Sequence, residues 1–118
     1  MRTPLGMTGP FAWEADGDDL GALVPRKVTQ CALSRICAVC ADPLGRPLVF
    51  VGTPEERARN AFHVPPLHAG CADDLLRAPG SDPSWEAVAT AGFEFVRPQR
   101  EDVDRRPTFQ PNSLLSDA

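Results

Sequence analysis

Two short stretches decide the fold that this sequence predicts: Cys37-Ala38-Val39-Cys40 and His68-Ala69-Gly70-Cys71. The first has the spacing of a zinc knuckle, in which a tight turn points both thiolates at one ion. The second places an imidazole and a thiolate three residues apart, so that both lie on one face of a helix. Together they form a Cys₃His set, which suits tetrahedral Zn²⁺. We therefore predict a structural zinc site with the ligands Cys37, Cys40, His68 and Cys71.

Short helices and strands are predicted around the Cys-x-x-Cys pair. The stretch 25–34 begins with a proline, which suits a first helical turn, and its apolar residues recur at helical spacing. The apolar run 48–51 is bounded by proline and glycine and predicts a buried strand. Thr53 then caps a helix over 54–60, and Glu56 completes a capping box.

Prolines and glycines place the remaining predicted elements. The stretch 61–64 reads as a strand or an extended arm, because the proline after it disfavours helix geometry. A helix is predicted to begin at Pro66 and to carry the second ligand pair. Another short helix is predicted to begin at Pro83 and to end at Gly92, and the alternation over 93–96 predicts a final strand.

The predicted fold is a small α+β domain, a zinc-stabilised, treble-clef-like finger with short helices and a two- or three-stranded antiparallel sheet. The order of knuckle, strand, strand and helix is typical of such a finger. The length of 118 residues allows one domain, and 13 prolines work against long regular elements. We place the zinc-binding domain at 20–96, between a flexible N-terminal segment, 1–19, and a flexible C-terminal tail, 97–118. A core this small needs a further source of stability, which a metal supplies.

Composition limits the classes of partner and compartment. The net charge of −4 and the pI of about 5.0 make the chain a poor general binder of the phosphate backbone of nucleic acids. No apolar run approaches the roughly 20 residues that span a bilayer, and the N-terminus lacks the apolar core of a secretory signal. We therefore expect a cytoplasmic protein without a membrane partner, in which the four cysteines are reduced thiols or metal ligands.

Three stretches of the central region, 36–40, 44–52 and 65–72, resemble a group of small uncharacterised zinc-binding proteins of actinobacteria and their phages. In that group a Cys-x-x-Cys pair precedes an apolar strand, and a Pro-Pro-x-His-x-x-Cys-Ala segment begins a helix. The resemblance covers roughly residues 36–77. It implies a fold and a metal and no particular activity.

Catalytic alternatives are weaker at the level of sequence. A redox dithiol needs a helix that opens on the Cys-x-x-Cys pair, whereas the turn sequence 42–45 follows here. Zinc deaminase chemistry needs a His-x-Glu ahead of a Pro-Cys-x-x-Cys, which this chain lacks. A histidine–metal finger nuclease could use His63 as its general base, but it also needs a second histidine or an asparagine to bind the catalytic metal. The other histidine, His68, is already a ligand of the predicted structural zinc.

The prediction for function is a structural-zinc binding or adaptor module that is not an enzyme and that recognises another protein. The alternative from a different class is a nucleic-acid-binding protein or a histidine–metal finger nuclease, which the acidic charge disfavours. Cys31 is interpreted as a buried, inert thiol because its helical neighbours are apolar, and a spare zinc ligand is the open alternative.

Overall fold

The chain forms three helices and six strands in the part that the structure describes. That structure is a computed structural model, and it describes residues 10–17 and 19–113. In chain order the elements are β1 (Trp13–Asp16), β2 (Asp19–Leu23), α1 (Pro25–Ser34), β3 (Leu48–Gly52), α2 (Pro54–Arg59), α3 (Ala69–Leu76), β4 (Glu86–Thr90), β5 (Phe93–Val96) and β6 (Thr108–Pro111). The strands pair as three two-stranded antiparallel sheets, β1–β2, β3–β4 and β5–β6. The predicted α+β class is confirmed.

Strand β3 lies at the centre of the molecule, and all five of its residues are buried. Val49 and Val51 pack in the apolar cluster that surrounds the cysteines, whereas Phe50 packs in a second, aromatic cluster. Successive side chains of a strand point to opposite faces, so one strand serves both clusters. One edge of β3 pairs with β4, and at its other edge Val49 forms a bridge with Leu67. The predicted buried strand is confirmed.

The first two helices begin and end where their sequences predict. Helix α1 spans Pro25–Ser34 and places Val28, Cys31 and Ala32 in the interior. Before α2, the Thr53 hydroxyl accepts a hydrogen bond from the Glu56 amide, and a Glu56 carboxylate oxygen accepts one from the Thr53 amide. This reciprocal pair is the predicted capping box, and it satisfies two amides that a bare helix end would leave without partners.

The predicted start of the third helix at Pro66 is wrong, because α3 begins at Ala69. Leu67 instead exchanges two backbone hydrogen bonds of 2.8 Å with Val49. A residue whose amide and carbonyl are both used in this way adopts extended geometry, and the next residue, His68, is also extended as the N-cap of α3. The contact with β3 therefore shifts the start of the helix by about one turn towards the C-terminus, relative to the start that the sequence pattern predicts.

The helix predicted between Pro83 and Gly92 is also wrong. Residues Glu86–Thr90 form β4, which pairs antiparallel with the whole of β3. The pairing supplies partners to backbone groups along an edge of β3 that would otherwise be buried without them. Tertiary pairing therefore outweighs the local helical pattern of this alanine-containing stretch. The strand predicted at 93–96 is confirmed as β5.

The N-terminal segment, predicted to be flexible over 1–19, is structured where the structure describes it. Trp13 begins β1 and is 6% exposed, and Ala12 is fully buried. The amides of Phe11 and Ala12 donate to the carbonyls of Val39 and Ala38, at 3.0 and 2.9 Å. Burial of an indole beside the knuckle offsets the entropy cost of ordering this segment. Residues 1–9 and 18 lie outside the described residues, and the prediction for them stays a prediction.

The C-terminal segment, predicted to be a flexible tail over 97–118, contains strand β6 and differs from the prediction there. Phe109 of β6 is fully buried, and its backbone exchanges hydrogen bonds of 2.9 and 2.7 Å with Phe62. Its ring lies 5.8 Å from that of Phe50 and 5.1 Å from that of Phe95, measured between centroids. Phe109 therefore completes the aromatic cluster, and residues 114–118 lie outside the described residues.

Gly52, at the end of β3, leaves room for a neighbouring ring. A Cβ atom at this position would come within 2.5 Å of the Phe62 ring, so a larger residue would not fit without a shift.

Among the residues that the structure describes, no helix has the length and apolar character needed to cross a bilayer.

Replacing Phe109 tests whether the C-terminal segment belongs to the core. Phe109→Ala should lower the free energy of unfolding by about 3–5 kcal/mol, because it leaves a cavity beside three aromatic rings. The matched control is Val103→Ala, since Val103 is 99% exposed and its loss should change stability by less than about 0.5 kcal/mol. Urea unfolding followed by circular dichroism measures both. Equal stability of the two variants would contradict the placement of β6.

Candidate metal centre

The knuckle is a tight turn held by its own backbone. The Cys37 amide donates to the Asp42 carbonyl and the Ala41 amide donates to the Cys37 carbonyl, both at 2.9 Å. Ala41 adopts the left-handed conformation with φ of 63°, which lets the chain reverse within so few residues. The Val39 amide lies 3.4 Å from the Cys37 sulfur and donates to it. An amide aimed at a sulfur stabilises the thiolate form that a metal binds.

The second pair of predicted ligands lies at the start of α3. His68 is the extended N-cap residue, and its carbonyl accepts the first helical hydrogen bond, from Ala72 at 2.9 Å. Cys71 follows in the first turn and is fully buried. The distance from its sulfur to the His68 Nδ1 is 3.8 Å. The i, i+3 spacing therefore brings the two side chains together although only Cys71 is within the helix.

Backbone contacts join the two pairs across a long stretch of chain. The Ala38 amide donates to the Pro66 carbonyl at 3.0 Å, so the knuckle lies directly against the segment that precedes His68. The exchange of hydrogen bonds between Val49 and Leu67 fixes the same segment against β3. The position of His68 relative to the cysteines is therefore set by the main chain and does not depend on flexible side chains.

All four predicted ligand residues come together in one group. One ligand atom from each of Cys37, Cys40, His68 and Cys71 lies within 4.8 Å of every other. The Cys40 sulfur lies 3.4 Å from the His68 Nδ1. Zn–S bonds of about 2.3 Å and Zn–N bonds of about 2.0–2.1 Å in a tetrahedron would separate the ligand atoms by roughly 3.6–3.8 Å. The group could hold a metal ion after side-chain shifts of a fraction of an ångström.

His68 is oriented for coordination through Nδ1. Its other ring nitrogen, Nε2, lies 3.0 Å from the Pro43 carbonyl, which can only accept a hydrogen bond. This contact assigns the proton to Nε2 and leaves the Nδ1 lone pair directed at the sulfurs. Metal-bound histidines commonly donate their second N–H to a carbonyl or carboxylate in this way. The Pro43 carbonyl, in the turn after the knuckle, is therefore part of the site.

Cys31 lies in the same apolar cluster as the ligand cysteines but is not one of the four grouped residues. Burial raises the pKa of its thiol to about 12, and the nearby Cys37 adds to the effect. The thiol is therefore neutral at physiological pH, and the prediction that it is buried is confirmed. Burial also raises the pKa of the Cys40 thiol in the metal-free protein, so binding of a cation there must displace its proton.

His63 makes contacts that its place in the sequence did not indicate. Its Nδ1 lies 2.7 Å from a carboxylate oxygen of Glu56, which also accepts a hydrogen bond from the His63 amide at 3.0 Å. On the opposite side of the ring, Nε2 lies 3.4 Å from a carboxylate oxygen of Asp104. His63 does not belong to the metal-binding group. The capping box was the sequence feature that could have predicted this contact, because it directs the Glu56 carboxylate towards the chain that follows α2.

Glu56 is a buried carboxylate with three N–H donors. Burial by itself opposes ionisation, but hydrogen bonds from the His63 ring and from the Thr53 and His63 amides outweigh it. The pKa of Glu56 is therefore lowered from its ordinary value of 4.5. The carboxylate is charged at neutral pH and stabilises a fixed orientation of the His63 ring.

Comparison with family models, with curated proteins and with solved structures yields no match to this chain. The resemblance noted from the motifs stays a prediction. What the site does must therefore be argued from its own donors, distances and charges.

The lowered pKa of Glu56 predicts how stability depends on pH. The native carboxylate holds its proton less tightly than the unfolded one, so its contribution is complete above pH 4.5 and is lost as pH falls through the native pKa. Glu56→Gln should lower the free energy of unfolding by about 2–4 kcal/mol near neutral pH. The difference from wild type should shrink on acidification.

The control for this experiment is Glu55→Gln, because Glu55 is exposed on the same helix turn. Urea unfolding over a series of pH values measures all three proteins, and any release of bound metal in acid affects them alike. A stability difference between wild type and Glu56→Gln that stays constant into strong acid would contradict the assignment.

Proposed function

We propose that Cys37, Cys40, His68 and Cys71 hold a structural Zn²⁺ and that the domain is a non-enzymatic module that binds another protein. The observation that carries the zinc site is the convergence of four ligand atoms within 4.8 Å from two distant pairs. Residues close in sequence can meet by chance, whereas two pairs joined by backbone hydrogen bonds require a fold built around the meeting point.

Zinc is the metal that this donor set favours. Three thiolates and one imidazole are soft to borderline ligands, which select zinc over magnesium or calcium. A set of four protein ligands also closes the tetrahedron and leaves no position for a reactive water, which is typical of structural sites and not of catalytic ones. Two of the thiols, Cys37 and Cys71, are fully buried, so water has little access to the ion.

The metal is proposed to stabilise the half of the molecule around the knuckle. The Ala38 and Val39 carbonyls accept the hydrogen bonds of the N-terminal segment, and the Ala38 amide donates to the segment before His68. Fixing the knuckle thus fixes both of its neighbours. Structural zinc contributes on the order of 10–16 kcal/mol of apparent binding free energy, which is coupled to folding.

The protein-binding role rests on the closed donor set and on charge. A net charge of −4 disfavours general binding to the backbone of nucleic acids, because that binding depends on neutralising phosphates with basic residues. Nucleic-acid binding or a nuclease activity is the second candidate, and one observation favours it. His63 is oriented by Glu56, as a general base would be.

Replacing ligand residues tests the zinc site. Cys37→Ala and Cys71→Ala should abolish stoichiometric zinc and unfold the central region, because either change opens the tetrahedron and leaves charged thiolates without their ion. Elemental analysis of the purified proteins measures the metal, and far-ultraviolet circular dichroism with thermal melting measures the fold. Cys31→Ala is the control, since Cys31 is equally buried and lies in the same cluster. Folded Cys37→Ala protein with one zinc per chain would contradict the site.

The functional class is tested with zinc-loaded full-length protein. We expect a pull-down from the native host to recover a defined protein that the unfolded Cys37→Ala variant does not retain. Gel-shift and cleavage assays with single- and double-stranded DNA and RNA should be negative. A robust nucleic-acid affinity that falls linearly with the logarithm of salt concentration would overturn the adaptor role in favour of the second candidate.

A further inference from the structure

A cavity of about 300 Å³ lies beside His63, and none of the four candidate metal ligands lines it. It is open to solvent and is formed by the end of α2, the end of β5 and the connection from β5 to β6. Its charged lining residues are Arg59, His63, Arg97, Asp102, Asp104 and Arg106. The chain as a whole is acidic, yet three of these six side chains are guanidinium groups.

The two carboxylates of the cavity are already occupied within the protein. Asp104 accepts hydrogen bonds from Arg106, from Nε at 3.0 Å and from Nη2 at 2.8 Å. These bonds hold the pKa of Asp104 well below its ordinary value, so the carboxylate is charged at neutral pH. Asp102 accepts a hydrogen bond of 2.8 Å from the Gln99 amide and closes the turn at that point.

Arg59 and Arg97 make no ion pair with any residue that the structure describes. Arg97 lies over the Phe95 ring, with its guanidinium carbon 5.5 Å from the centroid, which restricts its motion and leaves its N–H groups available. Arg59 is the last residue of α2. Two guanidinium groups from separate elements therefore line one cavity, and the third, Arg106, is held in place by Asp104.

His63 also lines the cavity, and its contact with Glu56 fixes the orientation of its ring. Its Nδ1 is taken by Glu56, so Nε2 is the ring atom that remains on the side of Asp104 and the cavity. The guanidinium groups of Arg59 and Arg97 are therefore the donors that the cavity offers to a ligand.

We propose that this cavity binds a phosphate monoester group through Arg59 and Arg97. A tetrahedral dianion needs donors from several sides, and guanidinium groups bind its oxygens in pairs. The volume is at the lower end for ligand sites, which suits a phosphoryl group with a few attached atoms. The group comes either from a small phosphorylated molecule or from a phosphorylated side chain of a partner protein. This inference goes beyond the proposed zinc-stabilised adaptor and does not depend on it.

The test is calorimetric titration of the full-length, metal-loaded protein with inorganic phosphate, phosphoserine, a phosphoserine-containing peptide and a mononucleotide. We expect saturable binding of phosphate monoesters and none of acetate at the same concentration. Tighter binding of the peptide than of the mononucleotide would assign the group to a partner protein, and the reverse order would assign it to a small molecule. Absence of saturable binding for every phosphate probe, or equal binding of acetate, would overturn the proposal.

Matched variants locate the site. The double variant Arg59→Gln, Arg97→Gln should weaken phosphoserine binding by at least about tenfold, with metal content and melting temperature unchanged. Arg26→Gln, at an exposed position of α1 away from the cavity, is the control and should bind as wild type does. Amide chemical shifts in nuclear magnetic resonance spectra should move for 59–63 and 96–108 on titration. Unaltered affinity in the double variant, or shifts confined to other regions, would overturn the proposal even if the zinc site is correct.

Discussion

The rest of the structure depends on three backbone hydrogen bonds that hold the knuckle, β3 and the segment before His68 in one place. The Ala38 amide donates to Pro66, and Val49 exchanges two bonds with Leu67. Because these groups belong to the main chain, they fix the backbone positions from which the imidazole and the three sulfurs extend. The same knuckle carbonyls accept the amides of Phe11 and Ala12, so the N-terminal segment is held by the turn that supplies two ligands.

Strand β3 divides the interior into two clusters with different sources of stability. One surrounds the cysteines, where apolar burial and the proposed ion act together. The other consists of aromatic rings, and it is closed by β6 from the far end of the chain. The pair formed by Glu56 and His63, with its cavity, lies beside the aromatic cluster. The candidate metal ligands and the aromatic rings thus lie on opposite sides of one buried strand.

Local sequence patterns predicted the elements that are determined by residues close together in the chain. The capping box of Thr53 and Glu56, the apolar run of β3 and the Cys-x-x-Cys spacing each involve residues a few positions apart. Elements that are determined by contacts between residues far apart in the chain were not predictable in this way. The stretch that became β4 has a helical pattern, but β3 presents an edge that must be paired when it is buried. Phe109 looked like part of a polar tail because its ring partners lie far away in the chain.

By itself, the sequence determined the class of fold and the ends of α1 and α2. It also determined the four residues that meet as the candidate metal ligands. These features depend on donor chemistry and on spacings of a few residues, which can be seen directly in the sequence. Only the tertiary structure decided that the two ends of the domain contribute core residues and that Glu56, His63 and Asp104 lie in line beside an arginine-lined cavity. The physical reason is that these contacts join segments whose approach is set by the burial of aromatic rings and by strand pairing. Neither leaves a periodic pattern in the residues that it brings together.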